Sequence, residues 1–193
     1  MSDAEIVERT FGWRTRDILV DVFDIALHDA DAMVAAGFDD KRAEVAGGPS
    51  LREVPGAASF VRAALDAGIP CALASSASMV NVELALEAIG LRGAFDVIVD
   101  GSQVQRGKPD PDPYLAAAAG LGVDARRCVV FEDTAPGIVA GLAAGARVVG
   151  VGTLGRPDML ERADLVIADF RDRTPDGVLR ALETRGRSDA GAP

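Results

Sequence analysis

Two acids, Glu132 and Asp133, close the apolar run Cys128-Val129-Val130-Phe131 and precede Thr134-Ala135-Pro136-Gly137. Carboxylates at the end of an apolar segment are costly to bury without a cation or strong donors. Magnesium suits such a pair, because it takes hard oxygen ligands, often one or two carboxylates plus a substrate phosphate. Helix capping by Asp133 or Thr134 is the competing reading; it explains one acid and fits two poorly. Lys108 stands in Gly107-Lys108-Pro109-Asp110-Pro111-Asp112-Pro113-Tyr114, where three prolines stiffen the backbone. A fixed ammonium suits a site that brings negative charges together. A solvated lysine in a Pro-rich turn is the alternative. A third segment, Ala74-Ser75-Ser76-Ala77-Ser78, follows an apolar run. Short hydroxyl side chains and turn N–H groups there can hold phosphate oxygens. Taken alone, it is better explained as a helix N-cap by Ser76 or Ser78.

These three segments gain meaning from the elements before them. From Pro55 onward, helical stretches alternate with short runs rich in β-branched residues. Helices are expected over Ala57–Ala67, Val80–Ile89, Pro113–Ala119 and Pro136–Ala144, three of them ended by Gly68, Gly90 and Gly145. Asp112 is the expected N-cap of the third, with Pro113 at its first position. Strands are expected over Ile69–Ser75, Phe95–Val99, Cys128–Phe131, Val148–Val151 and Leu165–Ala168. The alternation predicts an α/β fold with a Rossmann-like parallel sheet. In such sheets ligands bind beyond the carboxyl ends of the strands, where Ser75 and the Glu132–Asp133 pair fall. Residues 1–50 read as helical, with Ile18, Leu19, Val22, Phe23, Ala26 and Leu27 at helical spacing. The expected organisation is a partial N-terminal helical cap over 1–50, a core over 51–184 and a disordered tail over 185–193.

The chain has 193 residues, 49% of them apolar, with a formal net charge of −10. That length fits one domain with a small appendage. The charge opposes non-specific binding to nucleic acid and still allows a small anion in a locally positive pocket. No apolar run approaches the length of a membrane span, and the acidic start Met1-Ser2-Asp3-Ala4-Glu5 is no secretory signal. A cytoplasmic protein is expected, as a monomer, with a dimer as the alternative. Cys71 and Cys128 each lack a CxxC partner and are expected as buried thiols in strands. His28 is the single histidine, which limits histidine-based chemistry to one candidate.

Taken together, the segments resemble the haloacid dehalogenase-like (HAD) superfamily, in its branch of β-phosphoglucomutases and sugar-phosphate phosphatases. The resemblance rests on Ala72-Leu73-Ala74-Ser75-Ser76, Gly107-Lys108-Pro109-Asp110-Pro111-Asp112-Pro113-Tyr114, Val130-Phe131-Glu132-Asp133-Thr134, Gly137-Ile138 and Ala143-Ala144-Gly145. It covers residues 52–170. It implies that Ser75, with Ser76, binds the transferring phosphoryl group and that Lys108 bridges it to a nucleophilic carboxylate. It further implies that Asp133 binds Mg²⁺, helped by Glu132. More loosely, Gly12-Trp13-Arg14-Thr15-Arg16-Asp17 and Asp40-Lys41-Arg42 resemble that branch's helical cap, which brings in Arg14 and Lys41 as substrate contacts.

The family's first motif, an apolar strand followed by Asp-x-Asp-Gly-Thr/Val, has no counterpart here. The nearest imitation is Ile18–Leu27, in which Ala26 stands where the second acid belongs and the apolar spacing is helical. The motif's strand would lie between Ile69–Ser75 and Cys128–Phe131, so its absence exposes two strand edges. The expectation is a shortened version of a longer protein, through a misassigned start or a truncation. The function expected is Mg²⁺-dependent phosphoryl transfer on a small phosphorylated metabolite, a sugar phosphate by resemblance. The alternative is a non-catalytic remnant that binds a phosphorylated ligand or a partner protein. A metal-free dehalogenase and a receiver-like phosphoacceptor fit the acid pair and the order of the motifs less well.

Overall fold

The computed structural model describes Ala26, Asp29, residues 52–153 and residues 155–188. The expected cap residues Arg14 and Lys41 lie outside these. Along the described chain run α1 (Ala57–Asp66), β1 (Ala72–Ala74), α2 (Met79–Ala88), β2 (Val97–Val99), α3 (Asp112–Gly120), β3 (Val129–Glu132), α4 (Ala135–Ala143), β4 (Arg147–Val151), β5 (Leu165–Ile167) and α5 (Pro175–Ser188). All the pairings among these strands are parallel. β1 pairs with β2, and β3, β4 and β5 form a second sheet in that order. The expected α/β architecture is therefore present, in two pieces. No helix among the described residues is long and apolar enough to cross a membrane.

The layers follow from the two-residue period of the strands. Val129, Phe131, Val149 and Val151 pack with Phe60 of α1 and with Val178 and Leu182 of α5. Val130 and Val148 point the other way and pack with Ile138 of α4 and Tyr114 of α3. The smaller sheet is covered likewise. Leu73 and Ile98 meet Ala58 of α1 and Val82 and Leu86 of α2. Ala72, Ala74, Val97 and Val99 meet Ala117 of α3. Thus α1 and α3 each touch both sheets, one on either side, and hold them together. The rings of Phe60, Phe131 and Phe170 lie with centroids 5.1–5.5 Å apart, in the edge-on and tilted arrangements that aromatic clusters prefer.

Several expected boundaries shift for local reasons. Strand β1 begins at Ala72 rather than Ile69, because α1 ends in a Schellman turn. Gly68 adopts φ +73°, its N–H bonds the Leu65 carbonyl at 2.9 Å, and the Ile69 N–H bonds that of Ala64 at 3.0 Å. Ile69 thus belongs to the helix end. Strand β2 begins at Val97; Phe95 instead packs against the core beside α2. Pro111, not Asp112, occupies the N-cap of α3, and Asp112 sits in its first turn. Both cysteines are free and half-buried, each just ahead of its strand rather than inside it. Helix α5 was not expected from the sequence. It runs to Ser188, into the segment expected to be disordered from Arg185 onward.

Candidate active site

Lys108 is delivered by the turn Gly107–Asp110, closed by the Asp110 N–H on the Gly107 carbonyl at 2.9 Å, with a cis Lys108–Pro109 peptide. Its side chain runs inward and is buried. The ammonium donates to the Ala74 carbonyl at the end of β1 (3.3 Å) and to Glu132 Oε1 at the end of β3. One cation therefore ties together the ends of two strands that do not pair with each other. The ring of Tyr114 lies 5.0 Å from the ammonium, within cation–π range.

Glu132 lies on the same face of β3 as Val130, which turns it toward α3 and α4. Gly137, in the first turn of α4, makes room for it: a Cβ there would come within 2.0 Å of the carboxyl carbon. Oε1 also accepts from the Tyr114 hydroxyl at 2.5 Å. Oε2 accepts from the Asp133 N–H (3.1 Å), the Thr134 N–H (3.2 Å) and the Thr134 hydroxyl (3.0 Å). Burial pushes the Glu132 carboxyl up, but Lys108 and the Tyr114 and Thr134 hydroxyls outweigh that and hold it below the usual carboxylate range. The same burial, with the neighbouring Glu132 charge, pushes the Tyr114 phenol well above its ordinary value.

Both carboxylate oxygens of Glu132 are thus taken up by protein donors, Lys108 among them. This departs from its expected place beside a metal. Asp133 is different. It is half-buried, and its Oδ2 accepts one hydrogen bond, from the Thr153 hydroxyl at 2.7 Å. Thr134 is the N-cap of α4, its hydroxyl accepting from the Gly137 N–H at 3.1 Å. The capping reading therefore holds for Thr134, and Asp133 is released from it.

At the end of β1, Ser75 is anchored by its N–H on the Val99 carbonyl (2.9 Å). Its hydroxyl oxygen accepts from the Ala77 N–H at 3.1 Å, which leaves its proton to donate. Ser78 occupies the N-cap of α2 without a side-chain capping bond. Ser75, Ser76, Lys108, Glu132, Asp133 and Thr134 line one cleft of about 520 Å³ between β1 and β3. Its apolar floor includes Leu73 and Phe131 from the two facing strands. Tyr114 and Thr153, which touch the two acids directly, were not singled out from sequence. A tyrosine one turn into a helix and a threonine two residues beyond a strand carry no pattern that marks them.

The cation chemistry can be tested on these donors. Among the described residues no group of three or more His, Cys, Asp or Glu gathers to hold a metal. What the cleft offers is a single carboxylate, Asp133, with Oδ1 free of donors among the described residues. A hard, largely hydrated ion that also takes substrate oxygens fits this donor set; a soft or fully protein-caged metal does not.

Comparison with known proteins gives the family and the fold. The family model for haloacid dehalogenase-like hydrolases matches residues 5–145. Hexitol phosphatase A of Escherichia coli is 37% identical over 124 residues, covering 64% of this chain and 57% of that protein. The bifunctional riboflavin kinase/FMN phosphatase of Arabidopsis thaliana is 40% identical over 124 residues, covering 63% of this chain and 33% of that protein. The matches thus span between a third and somewhat over half of these relatives. Among solved structures, a β-phosphoglucomutase from Clostridium difficile shares the fold with a TM-score of 0.80 at 22% identity, covering 95% of this chain and 83% of that one.

Proposed function

The chain belongs to the haloacid dehalogenase-like hydrolases, and on that premise we propose that it serves Mg²⁺-dependent phosphoryl transfer on a small phosphorylated metabolite, a sugar phosphate in particular. The observation that carries this reading is the Lys108 ammonium, bound to both the Ala74 carbonyl and Glu132, in a cleft it shares with Ser75 and Asp133. Phosphoryl transfer asks a protein mainly to position groups and offset charge. Each residue has a part in that. The Ser75 hydroxyl and the neighbouring Ser76 donate to phosphoryl oxygens. Lys108 offsets the charge that builds as two anions meet, and Glu132 keeps the ammonium aimed. Asp133 would hold Mg²⁺, which when bound neutralises phosphoryl oxygens. Arg14 and Lys41, outside the described residues, would meet the substrate from a cap formed by residues 1–50. The core spans 51–184 and is continued by α5 to Ser188.

The nucleophile would be an aspartate on a strand seated between β1 and β3. Its carboxylate oxygen bonds to phosphorus as the bond to the ester oxygen breaks, and water or a sugar hydroxyl then takes the phosphoryl group. The sugar-phosphate preference is supported by the likeness to hexitol phosphatase A. A test compares the chain with a form extended at its N-terminus by an apolar strand and Asp-x-Asp, using a small phosphate ester. Turnover that needs Mg²⁺ and falls at least about a hundredfold in Asp133→Ala supports the enzyme. If both forms are inert while inorganic phosphate still binds, the cleft belongs to a ligand-binding relative instead.

A further inference from the structure

We propose that Thr153 is a positioning residue that fixes the Asp133 carboxylate so that Oδ1 faces a divalent cation in the cleft. This rests on the reading of Asp133 as a metal-binding residue. The hydroxyl of Thr153 donates to Asp133 Oδ2 at 2.7 Å, a well-formed O–H···O bond to a carboxylate. The contact crosses between strands. Glu132 sits opposite Gly150 in the β3–β4 register, so Thr153 reaches back from beyond the end of β4 to the residue just past β3.

The backbone beyond β4 is built to make that reach. The Gly152 N–H bonds the Ile167 carbonyl of β5 at 2.9 Å, which carries the sheet past Val151. The Thr153 N–H then bonds the Val151 carbonyl at 2.9 Å, a three-residue turn that swings the side chain over the end of β3. Threonine is stiff at χ1, so a hydroxyl set there by the backbone stays there. With Oδ2 held, the carboxylate loses its free rotation, and the remaining oxygen has no donor among the described residues. Residues that hold a ligand carboxylate in this way tune metal affinity without touching the metal.

Calorimetric titration with Mg²⁺ alone tests this on the purified chain, with Asp133→Asn, Thr153→Val and Thr153→Ser beside the wild type. Thr153→Val keeps the shape and removes the donor; Thr153→Ser keeps the donor. The expected result is no measurable binding by Asp133→Asn, about tenfold weaker binding by Thr153→Val, and near-wild-type binding by Thr153→Ser. The metal-free melting temperature of Thr153→Val falls no further than the loss of one exposed hydrogen bond explains, which separates positioning from folding. If Asp133→Asn abolishes binding but Thr153→Val binds like the wild type, Thr153 has no such role and the metal reading survives. Equal weakening in Thr153→Val and Thr153→Ser also overturns it, since the hydroxyl is then not what matters. Binding that persists in Asp133→Asn, or is missing from the wild type, overturns the metal reading and this inference with it.

Discussion

The residue just past β2 and the last residue of β3 are both acids that the fold buries: Asp100 is 5% exposed and Glu132 8%. Asp100 accepts from the Met79 N–H (2.8 Å), the Ser102 N–H (2.8 Å) and the Ser102 hydroxyl (2.6 Å). Burial pushes its carboxyl up, and those donors bring it below the usual range all the same. Glu132 reaches a similar end by other means, since its largest lowering influence is the Lys108 charge. The donors to Asp100 are neutral and come from its own turn and from the start of α2. They close the turn after β2 and tie it to the start of α2. The donors to Glu132 include a cation drawn from a distant turn, and the next residue, Asp133, lines the cleft with one oxygen that has no donor among the described residues. A buried acid at a strand end is therefore not a site by itself. What distinguishes β3 is a charged partner that could serve a second anion, and a second carboxylate beside the first.

The largest expected effect separates the two ends most sharply. Lys108→Ala leaves Glu132 charged, buried and without its cation, and should cost about 3–5 kcal/mol in urea unfolding. Pairing Lys108→Met with Glu132→Leu should recover much of that loss, because the two residues act as a unit. Asp100→Ala removes a carboxylate and orphans the neutral donors of its turn, which should cost about 2 kcal/mol. Its Mg²⁺ affinity should stay within about twofold of the wild type, because nothing it touches faces the cleft; a tenfold change corresponds to 1.4 kcal/mol. Lost Mg²⁺ binding in Asp100→Ala would break the comparison outright.

How much of this could be read from the residues depends on whether the signal was local. Helix ends at Gly68, Gly90 and Gly145 were legible because positive φ there is a property of one residue. Strands β2 to β5 were legible as runs rich in β-branched residues and β1, Ala72–Ala74, only as an apolar run; the acids after Phe131 stood out as polar residues closing one of them. Lys108 was legible through its prolines. Its burial, and its bond to the Ala74 carbonyl, were not, because they depend on how two sheets sit across a cleft. The different tasks of Glu132 and Asp133 were hidden for the same reason. Glu132 is the last residue of β3 and Asp133 the first beyond it, and only the packed elements decide that one meets Lys108 and Tyr114 and the other Thr153. Helix α5 was missed because its sequence, PDGVLRALETRGRS, is strongly polar on average, with Val178 and Leu182 turned to the core and Leu179 exposed.

The smallest predicted effect probes the β3 end at its least obvious member. Tyr114→Phe keeps the ring under Lys108 and the packing of α3, and removes only the hydroxyl that donates to Glu132 Oε1. At neutral pH the cost should be about 1.5 kcal/mol, the value of one hydrogen bond to a charged acceptor. Its pH dependence is more telling. Glu132 titrates below its ordinary value in the folded chain, so its contribution to stability is complete above the unfolded carboxylate pKa and is lost as the pH falls through the folded one. The Tyr114 hydroxyl is one of the groups that depress that folded value. Removing it raises the folded pKa, so acid unfolding of Tyr114→Phe should begin at a higher pH than in the wild type. Asp100 gains nothing from Tyr114, so in a background carrying Glu132→Gln the same tyrosine change should leave the acid limb where it was. An equal shift in both backgrounds would mean that Tyr114 acts through packing, and that Glu132 is held by Lys108 and its own strand end alone.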